Sequence, residues 1–326
     1  MKKYSESKKD KKKDIGINNV ACIGAGLIGH SWATLFAAKG YSVNLYDVEE
    51  SFLNNSVCRI ESNLEILSQA KLIEAEKETI LRRIKTTTSI HEALENVDYV
   101  QESVPESYEV KKTIFRKLDS QTAENVILAS SSSGLLMTKI QKVTERPERC
   151  LIAHPFNPPH IMPLVELVPG ELTSKETINA TYDFMRKIGK TPVILKKEVP
   201  GLLANRLSAA LWREAIDLVE RGVASVEDID KAVYAGPGLR WAIMGQHLIY
   251  HLNGGPEGIE KFIDSFGPAF EVWWENMRTW TSIPYSAAKK VVKGIRQMDI
   301  VQKRTFEEIV NWRDKKLIEL LRVLYK

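Results

Sequence analysis

Hydrophobic and polar positions follow two regimes along this chain, and the change falls near Pro200. Before it, short apolar runs alternate with stretches of helical period. The runs lie at 19–23, 41–46, 97–104, 125–129, 150–153, 164–168 and 191–195, and the β-branched stretch Ile84-Lys85-Thr86-Thr87-Thr88 adds one more candidate strand. Between them, Trp32, Leu35 and Phe36 share one helical face. Phe52, Val57, Ile60, Leu64 and Leu67 do the same over 50–71, and shorter helices are predicted at 74–83 and 108–118. Thr173-Ser174-Lys175-Glu176 reads as a capping box that opens a helix to about Ile188. Alternation of this kind predicts an α/β fold with a doubly wound, mostly parallel sheet. Val199-Pro200-Gly201 then breaks the chain, and the remainder reads as helices at 202–221, 226–234, 257–265, 284–298 and 304–325.

The first strand and helix enclose Gly24-Ala25-Gly26-Leu27-Ile28-Gly29, a G-x-G-x-x-G turn, and the second strand ends at Asp47. Each part has a physical role. Gly24 permits the tight turn, Gly26 lets a pyrophosphate approach the backbone, and Gly29 lets helix and strand pack closely. Leu27 and Ile28 begin a helix whose free N–H groups and positive dipole end favour phosphate. Asp47, 18 residues after Gly29, suits a ribose 2′-OH and repels a 2′-phosphate. The expectation is a Rossmann-type domain that binds NAD in preference to NADP.

Composition narrows the classes. The formal charge of +4 lies wholly in residues 1–14, where seven Lys face Glu6, Asp10 and Asp14. The remaining chain is neutral, so a nucleic-acid face is not expected, and the tail (1–17) is expected to be a disordered arm. No apolar stretch approaches the roughly 18 residues that span a membrane. The charged N-terminus has no apolar segment behind it, unlike a signal peptide. Cys22, Cys58 and Cys150 form no metal-like spacing, and Cys22 and Cys150 sit in apolar runs, as reduced cytoplasmic thiols do. The expected organisation is that tail, an NAD-binding domain at 18–199 and a smaller all-α domain at 200–326.

Chemistry-bearing residues gather at predicted strand ends. They are Ser130-Ser131-Ser132-Ser133, His154-Pro155-Phe156-Asn157-Pro158 and Glu166, followed by Pro200-Gly201-Leu202-Leu203-Ala204-Asn205-Arg206. With the glycine turn, these motifs and their spacing resemble the L-3-hydroxyacyl-CoA dehydrogenase family over about residues 18–270. The resemblance implies oxidation of a 3-hydroxyl with NAD as acceptor. It implies His154 as general base and Glu166 as the carboxylate that orients it. Ser133 and Asn205 would hydrogen-bond the reacting oxygen. Glu106, Lys111 and Asn157 would join Gly24, Gly26, Gly29, Leu27, Ile28 and Asp47 in holding the cofactor. It also implies a homodimer through the helical domain, for which 304–325 offers an amphipathic face. Ser131-Ser132-Ser133-Gly134 departs from the Asn-Thr-Ser-Ser usual in the acyl-CoA enzymes.

The substrate is read from a second departure. Gly236-Pro237-Gly238-Leu239-Arg240-Trp241-Ala242 resembles the branch of that family acting on small free hydroxy acids, carnitine-like first and gulonate-like second. Arg240 is the expected carboxylate ligand. Trp241, Trp273, Trp274 and Trp280 are candidate faces for a quaternary ammonium, or else packing residues. A short-chain 3-hydroxyacyl-CoA is the alternative substrate, and an NAD-binding structural protein without turnover is the alternative class. His160 is the rival imidazole, and His30 is expected near phosphate. His247 and His251 are spaced i, i+4, but neither an acid nor a Cys completes a zinc motif, so no metal is expected.

Overall fold

A computed structural model describes residues 16–325; the expected disordered tail lies outside the described residues, apart from its last two positions. Eight strands form one sheet: β1 Asn19–Ile23, β2 Ser42–Tyr46, β3 Ile84–Thr87, β4 Tyr99–Glu102, β5 Ile127–Ser130, β6 Cys150–Pro155, β7 Leu164–Pro169 and β8 Thr191–Ile194. Their order is β3-β2-β1-β4-β5-β6-β7-β8. All neighbours pair in parallel except β6 and β7, which are antiparallel. The chain direction that was predicted mostly parallel therefore turns once, through the short 156–163 connection.

Helices cover both faces: α1 Leu27–Ala38, α2 Glu50–Gln69, α3 Lys77–Leu81, α4 Ile90–Ala93, α5 Tyr108–Gln121, α6 Met137–Gln141 and α7 Lys175–Lys187. Two buried apolar layers result. Val20 and Cys22 face one with Trp32, Phe36 and Phe184; Ala21 and Ile23 face the other with Phe115 and Leu118. Burial on both faces is why these strands read as continuous apolar runs and not as alternating ones. Trp32 stacks on Phe36 and Phe36 on Phe184 of α7, at 5.2 and 5.7 Å between centroids, and Phe36 meets Tyr99 of β4 edge-on at 6.2 Å, fixing α1 against the sheet.

The predicted capping box at Thr173 does not form as such. Ser174 caps α7 by accepting from the Thr177 amide, whereas Thr173 Oγ1 donates to the Cys150 carbonyl and ties the helix entry to β6. Helices α4 and α6 fall below the length that periodicity can register.

The chain divides into two compact units, the second beginning at Ala204. It is helical: α8 Ala204–Glu220, α9 Val226–Ala235, α10 Pro237–Trp241, α11 Gln246–Asn253, α12 Gly258–Asn276, α13 Tyr285–Gln297, α14 Asp299–Lys303 and α15 Phe306–Leu324. Helix α12 is twice the predicted length because it continues through Pro268. Phe262, Phe266, Phe270 and Trp274 recur every four residues along it. Tyr250 on α11 stacks on Phe262 at 4.4 Å, and Phe270 meets Trp273 at 4.7 Å. That aromatic packing outweighs the hydrogen bond the proline removes. Among the described residues, no helix is long and apolar enough to cross a membrane.

Candidate active site

Strands β1 and β4 are neighbours while their connections run to opposite sides, so a crevice opens at their carboxyl ends. The glycine turn fills its floor. Gly24 adopts φ +97°, and a Cβ there would stand 2.7 Å from the Ser103 carbonyl oxygen. A Cβ on Gly29 would stand 1.7 Å from the Gly24 carbonyl oxygen, so helix and turn touch backbone to backbone. Gly26 is different: a Cβ there would meet nothing within 4 Å. Its missing side chain leaves the backbone open to the space before α1. Asp47 closes the turn, with Oδ2 accepting from the Ala25 amide at 2.7 Å and Oδ1 from the Val48 amide at 2.7 Å.

In front of this turn lies a cleft of about 810 Å³, lined by Gly24, Gly26, Asp47 and Phe52 and by Val104 to Ile114 of the β4–α5 segment in part. Its floor is glycine backbone, its acid stands at the end of β2, and Phe52, Val104, Val110 and Ile114 give apolar walls. These residues fit a dinucleotide: open amides for phosphate, a carboxylate for ribose hydroxyls and apolar faces for a base. Leu27 stands at the open end of α1, 56% exposed, with Ile28 beside it. Sequence reading missed Phe52, Val110, Thr113, Ile114 and Lys117 as cleft residues, because helix periodicity assigns a face but not what the face looks into.

The second cluster lies at the ends of β6 and β7. The antiparallel register sets His154 directly opposite Glu166. His154 Nδ1 donates to Glu166 Oε2 at 2.8 Å, and both side chains are buried, at 8% and 1% exposure. An ionised carboxylate only accepts, so the proton sits on Nδ1 and Nε2 keeps its lone pair. Glu166 Oε1 accepts from the Leu203 amide at 2.8 Å, which ties the Pro200–Leu203 segment to the same carboxylate. Asn157 is exposed just past β6.

The third cluster surrounds the serine turn after β5. Ser133 is exposed there. Glu106 Oε1 accepts from Ser132 Oγ (2.7 Å) and from the amides of Ser133 (2.9 Å) and Gly134 (3.0 Å). Burial opposes charge on Glu106, but the Ser132 hydroxyl, the Lys111 ammonium and the two amides together hold its carboxyl below the ordinary range. Lys111 is buried, and its ammonium donates to Glu102 Oε1 at 2.7 Å, with Glu106 Oε2 at 3.6 Å. It is thus not among the residues lining the dinucleotide cleft. Glu102 is wholly buried and was not singled out from sequence. The signal was present, since a carboxylate in an apolar strand demands a partner, as at Glu166.

Three other histidines have local roles. His30 is buried and its Nδ1 donates to the Gly26 carbonyl at 2.7 Å, so it does not stand in the open cleft; burial lowers its pKa. His160 Nδ1 pairs with Ser31 Oγ at 2.9 Å in the interior. His251 Nδ1 accepts from the Ile259 amide, inside the helical unit. Among the described residues no three His, Cys, Asp or Glu stand together as metal ligands. In that unit Asn205 lies on the first turn of α8 and Arg240 is exposed on α10. Trp280 lines a cavity of about 390 Å³ with Arg206, Trp212 and Arg213.

Comparison with known proteins agrees with this geometry. Residues 19–199 match the NAD-binding domain of 3-hydroxyacyl-CoA dehydrogenase, and residues 201–294 match its C-terminal domain. The chain belongs to the 3-hydroxyacyl-CoA dehydrogenase family. It is an NAD-dependent oxidoreductase acting on a CH–OH group. The L-carnitine dehydrogenase of Oceanobacillus iheyensis is 36% identical over 94% of this chain and 97% of its own length. That of Nocardiopsis dassonvillei is 36% identical over 94% and 92%. Among solved structures, an NAD+-dependent dismutase, 5-formyl-3-hydroxy-2-methylpyridine 4-carboxylic acid 5-dehydrogenase, superposes with a TM-score of 0.82. It is 29% identical and covers 95% of this chain and 99% of its own. The 3-hydroxybutyryl-CoA dehydrogenase of Escherichia coli K12 gives a TM-score of 0.67 at 29% identity, over 85% of this chain and 57% of its own.

Proposed function

We propose that this dehydrogenase oxidises the 3-hydroxyl of a small L-3-hydroxy acid to the 3-oxo acid, with a carnitine-like substrate first and a gulonate-like one second. The observation that carries the reading is the buried His154–Glu166 pair. Oxidising a secondary alcohol requires a base for the hydroxyl proton. His154 Nε2 takes that proton, and Glu166 stabilises the imidazolium that forms. Bound NAD supplies the hydride acceptor. Ser133 and Asn205 keep the role the resemblance gives them, hydrogen-bonding the reacting oxygen. The preference for a free acid is supported by two of the similar proteins, whose substrates carry a carboxylate. Arg240 is the proposed ligand for that carboxylate.

NADH formation by purified protein with L-carnitine, L-gulonate and L-3-hydroxybutyryl-CoA tests the reading. Turnover with a free acid is expected; turnover with the thioester alone would remove the role of Arg240. No turnover with any of them, alongside intact NADH binding, would favour a structural protein.

We further propose a homodimer formed through the helical unit. Its exposed indoles at Trp273 and Trp274 and the amphipathic α15 support it. A cytoplasmic location is proposed on the buried thiols of Cys22 and Cys150, the latter pushed up to about 12 by burial.

A further inference from the structure

A polar network behind the serine turn is built around one side chain, Gln101 of β4. Gln101 is wholly buried, and its register partner on β5 is Ala129. Side chains alternate along a strand, so Gln101 shares a face with Tyr99, in the buried layer that also holds Trp32, Ala129 and Ala153. With only a methyl group at Ala129, the Gln101 amide passes over β5 and reaches β6. Its Nε2 donates to the Ala153 carbonyl at 3.2 Å and to Ser131 Oγ at 2.8 Å, and its Oε1 accepts from Tyr99 Oη at 2.9 Å. A carbonyl only accepts, so the end of the amide at Ala153 is the nitrogen.

Ser131 Oγ is the other half of the tie. It accepts from Gln101 Nε2 and from Trp32 Nε1 at 3.2 Å, which fills both of its lone pairs. Its single proton then goes to Ser103 Oγ at 2.9 Å, and the direction of every bond around Ser131 Oγ is fixed. The place of the tie gives it meaning. The ladder between β5 and β6 stops at Ser130 and Ile152. Ser131 and Ala153 are the next residues on the two chains; His154 follows Ala153, and Ser133 stands two beyond Ser131. Gln101 thus joins β5 and β6 where their backbone pairing has ended and the chemical residues begin.

We propose that Gln101 is a positioning residue: by bonding Ala153 and Ser131 at once, it sets the spacing between the strand end that carries His154 and the turn that carries Ser133. This rests on the reading that His154 and Ser133 both act at the reacting oxygen. Parting the two by about an ångström would cost on the order of a hundredfold in turnover. Neither Gln101 nor Ser131 lines the dinucleotide cleft, so cofactor affinity is not what the tie controls.

Two substitutions in the same buried layer separate spacing from packing. Gln101→Met keeps the length and removes the polar atoms. Tyr99→Phe removes only the bond to Oε1 and leaves both bonds of Nε2. The full chain and both variants are compared in amide exchange at Ser131, NADH affinity by fluorescence, and kcat with KM on the substrate found active. The Ser131 amide donates to the Glu102 carbonyl at 2.7 Å, at the root of the turn. In Gln101→Met, exchange there is expected to quicken by about tenfold or more. Its kcat is expected to fall about a hundredfold, while KM and NADH affinity move by less than about threefold. In Tyr99→Phe, kcat and the Ser131 exchange are expected to stay near those of the parent. An equal fall of kcat in Tyr99→Phe would make the loss one of general packing and overturn the proposal. Unchanged kcat in Gln101→Met, or a loss carried by KM or NADH affinity alone, would overturn it as well. If Gln101→Met does not fold, Ser131→Ala, which removes the tie from its other end, decides by the same measurements and the same expected split. If the parent protein turns over none of the substrates, the proposed function fails by itself, and exchange still tests the tie: an unchanged rate at Ser131 in Gln101→Met would overturn it.

Discussion

The two units use their polar and apolar side chains in opposite ways. In the sheet unit, charges are buried and paired: Glu102 with Lys111, Glu166 with His154, and Asp119 with Arg149 at 2.7 Å. Its Trp32 is fully buried. In the helical unit, large apolar groups face outward: Trp273 is 51% exposed, Trp274 62% and Leu207 67%. A buried charge is costly unless its partners are in place, so it is kept where geometry must be fixed. An exposed indole is costly only in water, and a second surface removes that cost. The sheet unit thus holds the His154–Glu166 pair rigidly, and the helical unit presents surface for something else to cover.

Five outcomes would break or sharpen that contrast, beginning with the largest. His154→Ala should lower kcat by about 10³-fold, within the usual 10²–10⁴ for a general base, while NADH affinity stays within a few-fold. Retained turnover would refute the base assignment. Lys111→Met leaves Glu102 buried without its cation, and the unfolding free energy in urea should fall by about 3 kcal/mol or somewhat more. A loss near zero would mean that the buried cluster is not structural.

Asp47→Asn removes the carboxylate expected to meet the ribose, and NAD affinity should fall about tenfold while discrimination against NADP narrows. Unchanged discrimination would detach Asp47 from cofactor choice.

The fourth outcome concerns acid. The Glu106 carboxyl is held below its ordinary range in the fold. Its stabilisation is therefore complete above the unfolded carboxyl range and fades as pH falls through it. Thermal midpoints of the parent and Glu106→Gln should converge as pH drops below about 4.5. Parallel curves would show that Glu106 titrates normally.

The smallest effect in stability is expected at Trp274→Glu. Surface changes of this kind usually stay within about 0.5 kcal/mol, so the folded chain should barely notice. On the proposed homodimer, sedimentation should nevertheless report paired chains for the parent and single chains for the variant. An unchanged dimer would move the interface off α12.

The positions of the glycine turn, Asp47, His154 and Glu166 were legible because each is a local rule. A turn at φ +97° demands glycine, and a carboxylate in an apolar strand demands a partner. The same rule made Glu102 readable, yet it passed unnoticed beside Glu106 and Lys111, which carry the family resemblance. Helix α12 runs past the predicted 257–265 because the aromatic ladder that carries it through Pro268 is built partly by Tyr250, outside the helix.

From its sequence alone this protein had a doubly wound sheet, a dinucleotide turn, and a histidine and a glutamate at the ends of two strands. Those follow from periodicity, glycine sterics and the cost of burying charge, which act over a few residues. Tertiary structure decided the rest. The single antiparallel pairing of β6 with β7 puts His154 opposite Glu166, and a slip of one residue would turn the acid to the other face of the sheet. The folding of α5 under the serine turn brings Glu106 and Lys111 to Ser130–Gly134. Such pairings join residues from twelve to twenty-eight positions apart, and their distances are set by packing of the whole sheet, which no local pattern encodes.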